Sequence, residues 1–444
     1  MPVDTLDRSR VLSSHFGPLE SLLAATGDAN LHAWRRANLE RFNALGLPTT
    51  KDEEFKYFVA PRLNEVKWQL AHGANVYRSH LPKGLISKLE TTTLALVNGQ
   101  IAPELDVLAN LPKGVILCGL EEAITNHPEL VNQYLGKSAT LDGRLGSTND
   151  ERFTYLNSAY LADGLFLFVP KSVTLDIPVQ LLSVIDAHQG PIAVYPRILI
   201  VAEENSEVQI VERHVGINGE YLNVPVTELF VGQGARVEYT RIQTETPEAI
   251  HIAGVYASQH GQSVLETHTA SFGASASRLD LNIDVLGEYA ETWMNGCYVA
   301  RGEQLVDCHT RLDHRVPNCQ SFEVYKGVID DHGTGVFNGK IFVYEDAQKT
   351  DAKQTNQVIL LSPTATINTK PQLEIFADDV KCTHGATVGK IRDDALFYMQ
   401  SRGIPENEAR DLLIYAFAAE VIEAIDTPGV TEALEEMLFE KLSK

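Results

Sequence analysis

The chain has 444 residues, 44% of them apolar, with 59 acidic and 37 basic side chains and a formal charge of −22. It is long enough for two to three domains, or for one extended repeat fold with appendages. Its negative charge excludes long-range attraction to nucleic acid or an anionic membrane, and no run of about 18 apolar residues could span a bilayer. The start, Met1-Pro2-Val3-Asp4, has no basic-then-apolar leader pattern. The five cysteines (Cys118, Cys297, Cys308, Cys319 and Cys382) are an odd, sparse set that makes no disulfide framework. Both features predict a cytoplasmic chain.

Residues 1–150 read as a helical start with a small α/β piece. Apolar residues at helical spacing predict helices over Leu19–Ala25 and Leu31–Leu45, with Trp34, Leu39 and Phe42 on a shared face and Gly46 and Pro48 as the stop. Thr93–Val97 and Val115–Leu117 are short strands. Glu121–Leu135 reads as one helix closed by Gly136.

Residues 151–390 have a different texture. Strand-like runs follow one another at Leu165–Val169, Val179–Ile185, Ala193–Val201, Glu207–Glu212, Thr227–Val231, Ala235–Gln243 and Ile250–Ala257. They continue at Ser263–Ser271, Arg278–Leu286, Glu291–Val299, Gln304–Leu312, Val336–Tyr344 and Leu373–Phe376. Gly, Asn, Asp and Pro break them, and no long helix interrupts. Such a pattern fits a sandwich, a barrel or a β-helix; at this length stacked solenoid coils are favoured, although no strict repeat is visible. Residues 391–444 return to helix: Asp393–Ser401, then Ala409–Ile425 with Leu413, Ala416, Phe417, Val421 and Ala424 at helical spacing beside Leu412, then a last helix from Thr427-Pro428 to Leu442. This region either caps an open solenoid end or docks a partner.

Few stretches carry chemistry. Cys382 and His384 lie two apart in a strand-like stretch preceded by Asp378 and Asp379, so they leave the same face. A thiol and an imidazole side by side suit iron or zinc, but two ligands do not close a site; packing is the competing reading. Cys308, His309, His314 and Cys319 form a second group of ligand types with no zinc-module spacing, and His309 and His314 have opposite strand parity. Gly335–Ile341 lacks the first glycine and the final hydroxyl of a phosphate loop, so it reads as a β-turn and the chain carries no ATPase site of its own. Thr350–Gln357 reads as a solvent-facing strand and turn. Neither G-x-S-x-G nor H-E-x-x-H occurs.

Together, Gly335–Ile341, Thr350–Gln354 with Asn356, Leu360-Leu361-Ser362, Pro371–Ile375, Asp378-Asp379-Val380, Cys382–Thr387 and Leu396–Gly403 form a run that resembles the SufB/SufD family of iron–sulfur cluster assembly proteins. The match is dense from about Val316 to Phe417. Gly385, where the SufB branch has Glu, and the absence of a cysteine in Gln354–Ile359 place the chain nearer the SufD branch, as does Trp34…Phe42…Gly46…Pro48…Glu54–Tyr57. Phe55 replaces that branch's usual Trp, and Phe58 its common Thr.

The resemblance implies a mainly β fold, a right-handed parallel β-helix with helical N- and C-terminal regions. It implies a non-enzymatic scaffold subunit in a complex with SufB and the ATPase SufC, with a homodimer possible in isolation. ATP and Mg²⁺ would be bound by SufC, docked on Leu396, Phe397, Tyr398, Leu412, Leu413 and Phe417. A transient Fe–S cluster would form at the SufB interface, with Cys382 and His384 as shared iron ligands. Two other readings remain: a β-helix enzyme acting on polysaccharide, and an inert structural scaffold.

Overall fold

In the computed structural model, which describes residues 10–13, 16–23, 29–58, 62–71, 73–74, 76–81, 91–146 and 151–442, the middle of the chain alternates between two sheets. The first stacks Gly164–Val169, Arg197–Ala202, Val226–Val231, Ile250–Gln259, Ala276–Val285, Leu305–His314, Thr334–Val343 and Thr366–Ile375. The second stacks Thr92–Val97, Val179–Asp186, Glu207–Asn218, Arg236–Thr244, Val264–Ser271, Glu291–Ala300, Gln320–Ile329, Asp351–Leu360 and Lys381–Gly389. These neighbours are parallel and in register, so that Ala276, Leu305, Thr334 and Thr366 form one row. The result is a β-solenoid of about eight turns with helical regions at both chain ends.

Alternation explains the core. Leu229, Val255, Leu281 and Ile283 point inward from the first sheet and meet Ile210, Val237, Leu265 and Met294 from the second. Further along, the interior narrows and large faces small. Gly296 lies beside Tyr325, and Tyr298 beside Gly327, in paired register. A Cβ on Gly296 would sit 2.2 Å from the Tyr325 ring, and one on Gly327 2.4 Å from the Tyr298 ring.

The two ends differ. At the N-terminal end antiparallel strands close the sheets: Gln100–Ile101 turns back on Thr92–Val97, and Ile116–Gly119 runs against Gly164–Val169. The helices Ala29–Leu45 and Arg152–Ala159 pack together; Phe42, Phe153 and Phe55 cover Ile250, Ile252 and Ala276. The C-terminal helices Asp393–Ser401, Glu406–Ile422 and Val430–Leu442 do not cap the other end. Ile414, Ala418, Val421, Ile422, Leu434 and Leu438 pack against Val211, Ile242, Ala270, Cys297 and Val328 on the outer flank of the second sheet. Among the described residues no helix is long and apolar enough to cross a membrane.

Several sequence expectations are corrected. The helix expected over Glu121–Leu135 is two, Leu120–Asn126 and Pro128–Tyr134, because Pro128 has no N–H to continue the ladder and instead starts a new helix. Pro196 likewise separates Ile192–Val194 from Arg197–Ala202 within the run Ala193–Val201. Arg152–Ala159 is an unforeseen helix; all its residues are buried, so no amphipathic period marks it. Gly335–Ile341 is strand rather than turn. In Thr350–Gln357 the inward residues Ala352, Gln354 and Asn356 are buried, not solvent-facing. On Glu406–Ile422 the buried stripe runs through Ala409, Ile414, Ala418, Val421 and Ile422 rather than Leu413, Ala416 and Phe417. Ala24 and Ala25 of the expected Leu19–Ala25 helix, and the Met1–Asp4 start, lie outside the described residues.

The glycine–tyrosine rows predict a contrast. Gly296→Ala should lower unfolding stability by about 1–3 kcal/mol, as overpacking does. Gly385→Ala, with nothing within 4 Å of its added Cβ, should leave it within about 0.5 kcal/mol. Urea titration of both variants checks this; equal destabilisation would refute it.

Candidate functional site

The solenoid ends on two strands that pair on one side only. Thr366–Ile375 pairs with Thr334–Val343, and Lys381–Gly389 with Asp351–Leu360; among the described residues neither has a further neighbour. Each edge therefore offers a row of unpaired backbone N–H and C=O groups. Ile375, Phe376 and Val388 are exposed along this end.

Cys382 packs against the last members of the solenoid core, which identifies its face as the inner one, and His384, two residues on, shares it. The Cys382 thiol is half-buried; burial raises its pKa, and the charge of Asp351 adds to this, while a backbone N–H of Ala352 works the other way. His384 is exposed, and among the described residues no hydrogen bond reaches its ring. Of the two carboxylates before the strand, Asp379 is engaged by Lys349.

Directly beneath His384 lies a polar row. Gln354 is its register neighbour, and Glu323 is the neighbour of Gln354. Both are buried. Gln354 Nε2 donates to Glu323 Oε2 at 2.8 Å, and Thr310, from the opposite sheet, donates to Oε1 at 2.6 Å. Burial raises the Glu323 carboxyl to about 7, against the lowering effect of those two hydrogen bonds. Deeper in the interior, Thr269 donates to Tyr325 Oη at 3.2 Å.

Beyond it, Arg241 meets His251 Nε2 at 2.5 Å, and His251 Nδ1 lies 2.6 Å from Glu245. Tyr239 and Thr227 donate to Glu212 at 2.6 and 2.7 Å, with His214 also 2.7 Å away. Burial pushes Glu212 up, but the His214 hydrogen bond and the Arg241 charge outweigh it and bring it to about 2. His251 is held down to about 4, chiefly by burial, so it is neutral near pH 7.

The second sequence group is not brought together. Cys308 is buried among Tyr298, Tyr325 and Phe337. His309 lies on the outer face, 2.9 Å from Asp307 and 3.5 Å from Glu54. His314 points inward to Ser321 Oγ at 2.9 Å, and Cys319 Sγ contacts the Gly287 and Pro317 carbonyls at 3.4 Å. Among the described residues no three His, Cys, Asp or Glu side chains gather as a metal set. Cys382 and His384 thus stand as a pair, with no third ligand type gathered beside them among the described residues.

A charged array on the outer face of the first sheet had escaped the sequence reading. Arg278 sits between Asp280 (2.7 Å) and Asp307 (2.9 Å), with Phe55 4.2 Å below, beside a cavity of about 70 Å³ that Lys340, Arg311 and Glu54 also line. Its charges are largely mutually paired. On the C-terminal helices Phe397 and Tyr398 are 72% and 59% exposed and Leu412 is exposed, while Leu396, Leu413 and Phe417 are half-buried. Lys326 lies 4.8 Å from the Phe417 ring and donates to its carbonyl at 2.9 Å.

Sequence reasoning missed Glu323, Gln354 and the Glu212–Arg241–His251 network. The available signal was parity: Glu212 and His214 continue the inward series Val208, Ile210, where a charge is expensive unless paired.

Comparison with known proteins agrees with the motif reading. Residues 184–417 match the SUF system FeS cluster assembly SufBD core domain, and residues 8–181 the SufBD protein N-terminal region. An iron-sulfur cluster assembly SufBD family protein of Synechocystis sp. is 30% identical over 91% of this chain and 90% of its own length. Iron-sulfur cluster assembly protein SufD of Escherichia coli is 28% identical over 89% of both chains, and that of Bacillus subtilis 29% over 80% of both.

The burial pattern predicts thiol reactivity. Cys382 and Cys118 should alkylate in the folded chain, while the buried Cys297, Cys308 and Cys319 should react only on unfolding. Because both half-buried thiols have raised pKa values, their rates should still be rising with pH at pH 9. Mass spectrometry after iodoacetamide pulses reads this; a Cys382 rate that levels off near pH 7 would contradict it.

Proposed function

Since the chain belongs to the SufBD family of iron–sulfur cluster assembly proteins, we propose that it is the SufD-type subunit of a complex with a SufB-type chain and a SufC-type ATPase. The observation that carries this reading is the uncovered end of the solenoid. Two edge strands wait there for partners, and the last one bears Cys382 and His384 on its inner side. A SufB-type chain ending in the same way would continue both sheets across the junction by β-augmentation. A second copy of this chain would fit the edge too, and gives the homodimer the resemblance allows in isolation.

Iron and sulfur enter this junction as cargo. His384 supplies a ring nitrogen and Cys382 a thiolate, and the SufB-type chain supplies the remaining ligands. Cys382 must lose its proton to serve, and its raised pKa means that the metal drives this loss. The chain itself is a scaffold; ATP and Mg²⁺ belong to the SufC-type subunit. That subunit docks on the exposed side of the C-terminal helices, where Phe397, Tyr398 and Leu412 are exposed beside Leu396, Leu413 and Phe417. ATP-driven closure of two such subunits would pull on those helices and open the junction.

His384→Ala should lower the rate of cluster formation by the reconstituted three-protein complex at least about 10-fold, followed by visible absorbance. A wild-type rate would remove His384 from the reaction. Phe397→Asp with Tyr398→Asp should abolish co-purification of the ATPase yet leave unfolding stability within about 0.5 kcal/mol, because both rings are exposed. Stoichiometric recovery of the ATPase with the double variant would move the docking face elsewhere.

A further inference from the structure

The row beneath His384 has an unbalanced member. Gln354 turns its amide nitrogen to Glu323, which leaves its carbonyl Oε1 buried with no hydrogen-bond partner. A buried acceptor without a donor is unfavourable. On the next rung lies the His384 imidazole, whose N–H is also without a partner among the described residues. Rungs of a sheet are about 4.8 Å apart, within reach for a long amide and a ring. Space for the amide is provided from the opposite sheet: a Cβ on Gly339 would sit 2.3 Å from Gln354 Nε2.

We propose that Glu323 and Gln354 are the positioning pair for His384. Glu323, fixed by Thr310, holds the Gln354 carboxamide so that Oε1 accepts the N–H of one His384 ring nitrogen. The lone pair of the other nitrogen then faces the uncovered end. Neutral imidazole has one donor and one acceptor nitrogen, so fixing the first selects the second as a metal ligand. Metal-binding histidines are commonly oriented in this way by a second group. The inference rests on the reading of His384 as an iron-binding histidine, but it makes a claim about the ring that can be tested without iron.

Protonation of Glu323 gives the pair a pH dependence. The groups facing this carboxyl are Thr310, Gln354, Tyr325 and Cys308, with Arg241 beyond them. Burial holds its pKa at about 7. Above that pH the carboxylate requires the Gln354 N–H and locks the amide; below it the protonated carboxyl releases the amide to turn. His384 should therefore favour one neutral tautomer more strongly above pH 7 than below it.

The test uses the full chain labelled with ¹⁵N-histidine, whose 14 histidines are resolved by the resonance missing from His384→Ala. The expected result is a single dominant His384 tautomer at pH 8 in the wild type. In Gln354→Ala the ring-nitrogen shifts should move to the averaged values of free imidazole. The isosteric Glu323→Gln, which preserves packing if Gln354→Ala does not fold, should abolish the change in tautomer ratio around pH 7. In the three-protein complex Gln354→Ala should slow cluster formation about 10-fold. Unchanged ring shifts in the folded variants overturn the proposal, whatever happens to the assembly rate. If the shifts respond but His384→Ala assembles clusters at the wild-type rate, the positioning pair stands and the functional reading of His384 falls.

Discussion

In-register parallel pairing is the constraint from which the rest follows. Each coil satisfies the backbone of the coil before it and exposes its own on the far side, so a solenoid of finite length always has a last row of unpaired groups. At the N-terminal end antiparallel strands resolve that problem within the chain. At the C-terminal end nothing among the described residues does. The same register stacks side chains into rows, which is how residues some thirty positions apart, Glu323, Gln354 and His384, come to lie one above another. The open edge and the polar row beneath it are two consequences of one geometry.

A polar interior needs a reason, because an apolar solenoid core would be simpler to stabilise. Beside the apolar stack that runs through the same coils, the inner positions from Glu212 to Gln354 also carry carboxylates, an arginine, histidines and amides. Most of these groups are paired, which keeps the network compatible with folding. The exceptions run along the whole solenoid, from Gln180 and Asn223 to Gln354 Oε1 and Asn356 Oδ1 in the coil before the last strand. What sets Gln354 Oε1 apart from the others is its register neighbour, the exposed His384 of the last strand.

The sequence revealed the architecture better than the site. Period-two alternation and regular turn residues identified most strands from Leu165 to Tyr344, because sheet burial is written directly into side-chain parity, but not Gln320–Ile329, the strand that carries Glu323. Strict repetition was absent because the coils differ in length, so the solenoid had to be inferred from texture. Pro128 and Pro196 divided elements that apolar content alone joined. The all-buried helix Arg152–Ala159 had no period to find. Cys382 and His384 were visible as a pair because two residues apart in one strand is a local relation. Glu323 and Thr310 were not, since their contact crosses from one sheet to the other. The flank position of the C-terminal helices was also hidden: their buried stripe is rich in Ala418, Ala419 and Ala409, which carry little hydrophobic signal, while the larger Leu413 and Phe417 lie beside it.

That flank position ties the two halves of the proposed function together. Had the helices capped the end, they would have covered the edge on which the proposed second chain pairs. Lying on the outer face of the second sheet, they leave the end free and yet hold the sheet that forms it. The strand Gln320–Ile329 makes the link concrete. Its outward Lys326 is bound by Glu420 and the Phe417 carbonyl of the helix, and its inward Glu323 holds Gln354. In the proposed complex a pull on the helices would reach the solenoid at every strand they hold, through Val211, Ile242, Ala270 and Cys297 as well as Val328. Gln320–Ile329 is the one of these strands that also carries Glu323, two rungs from His384.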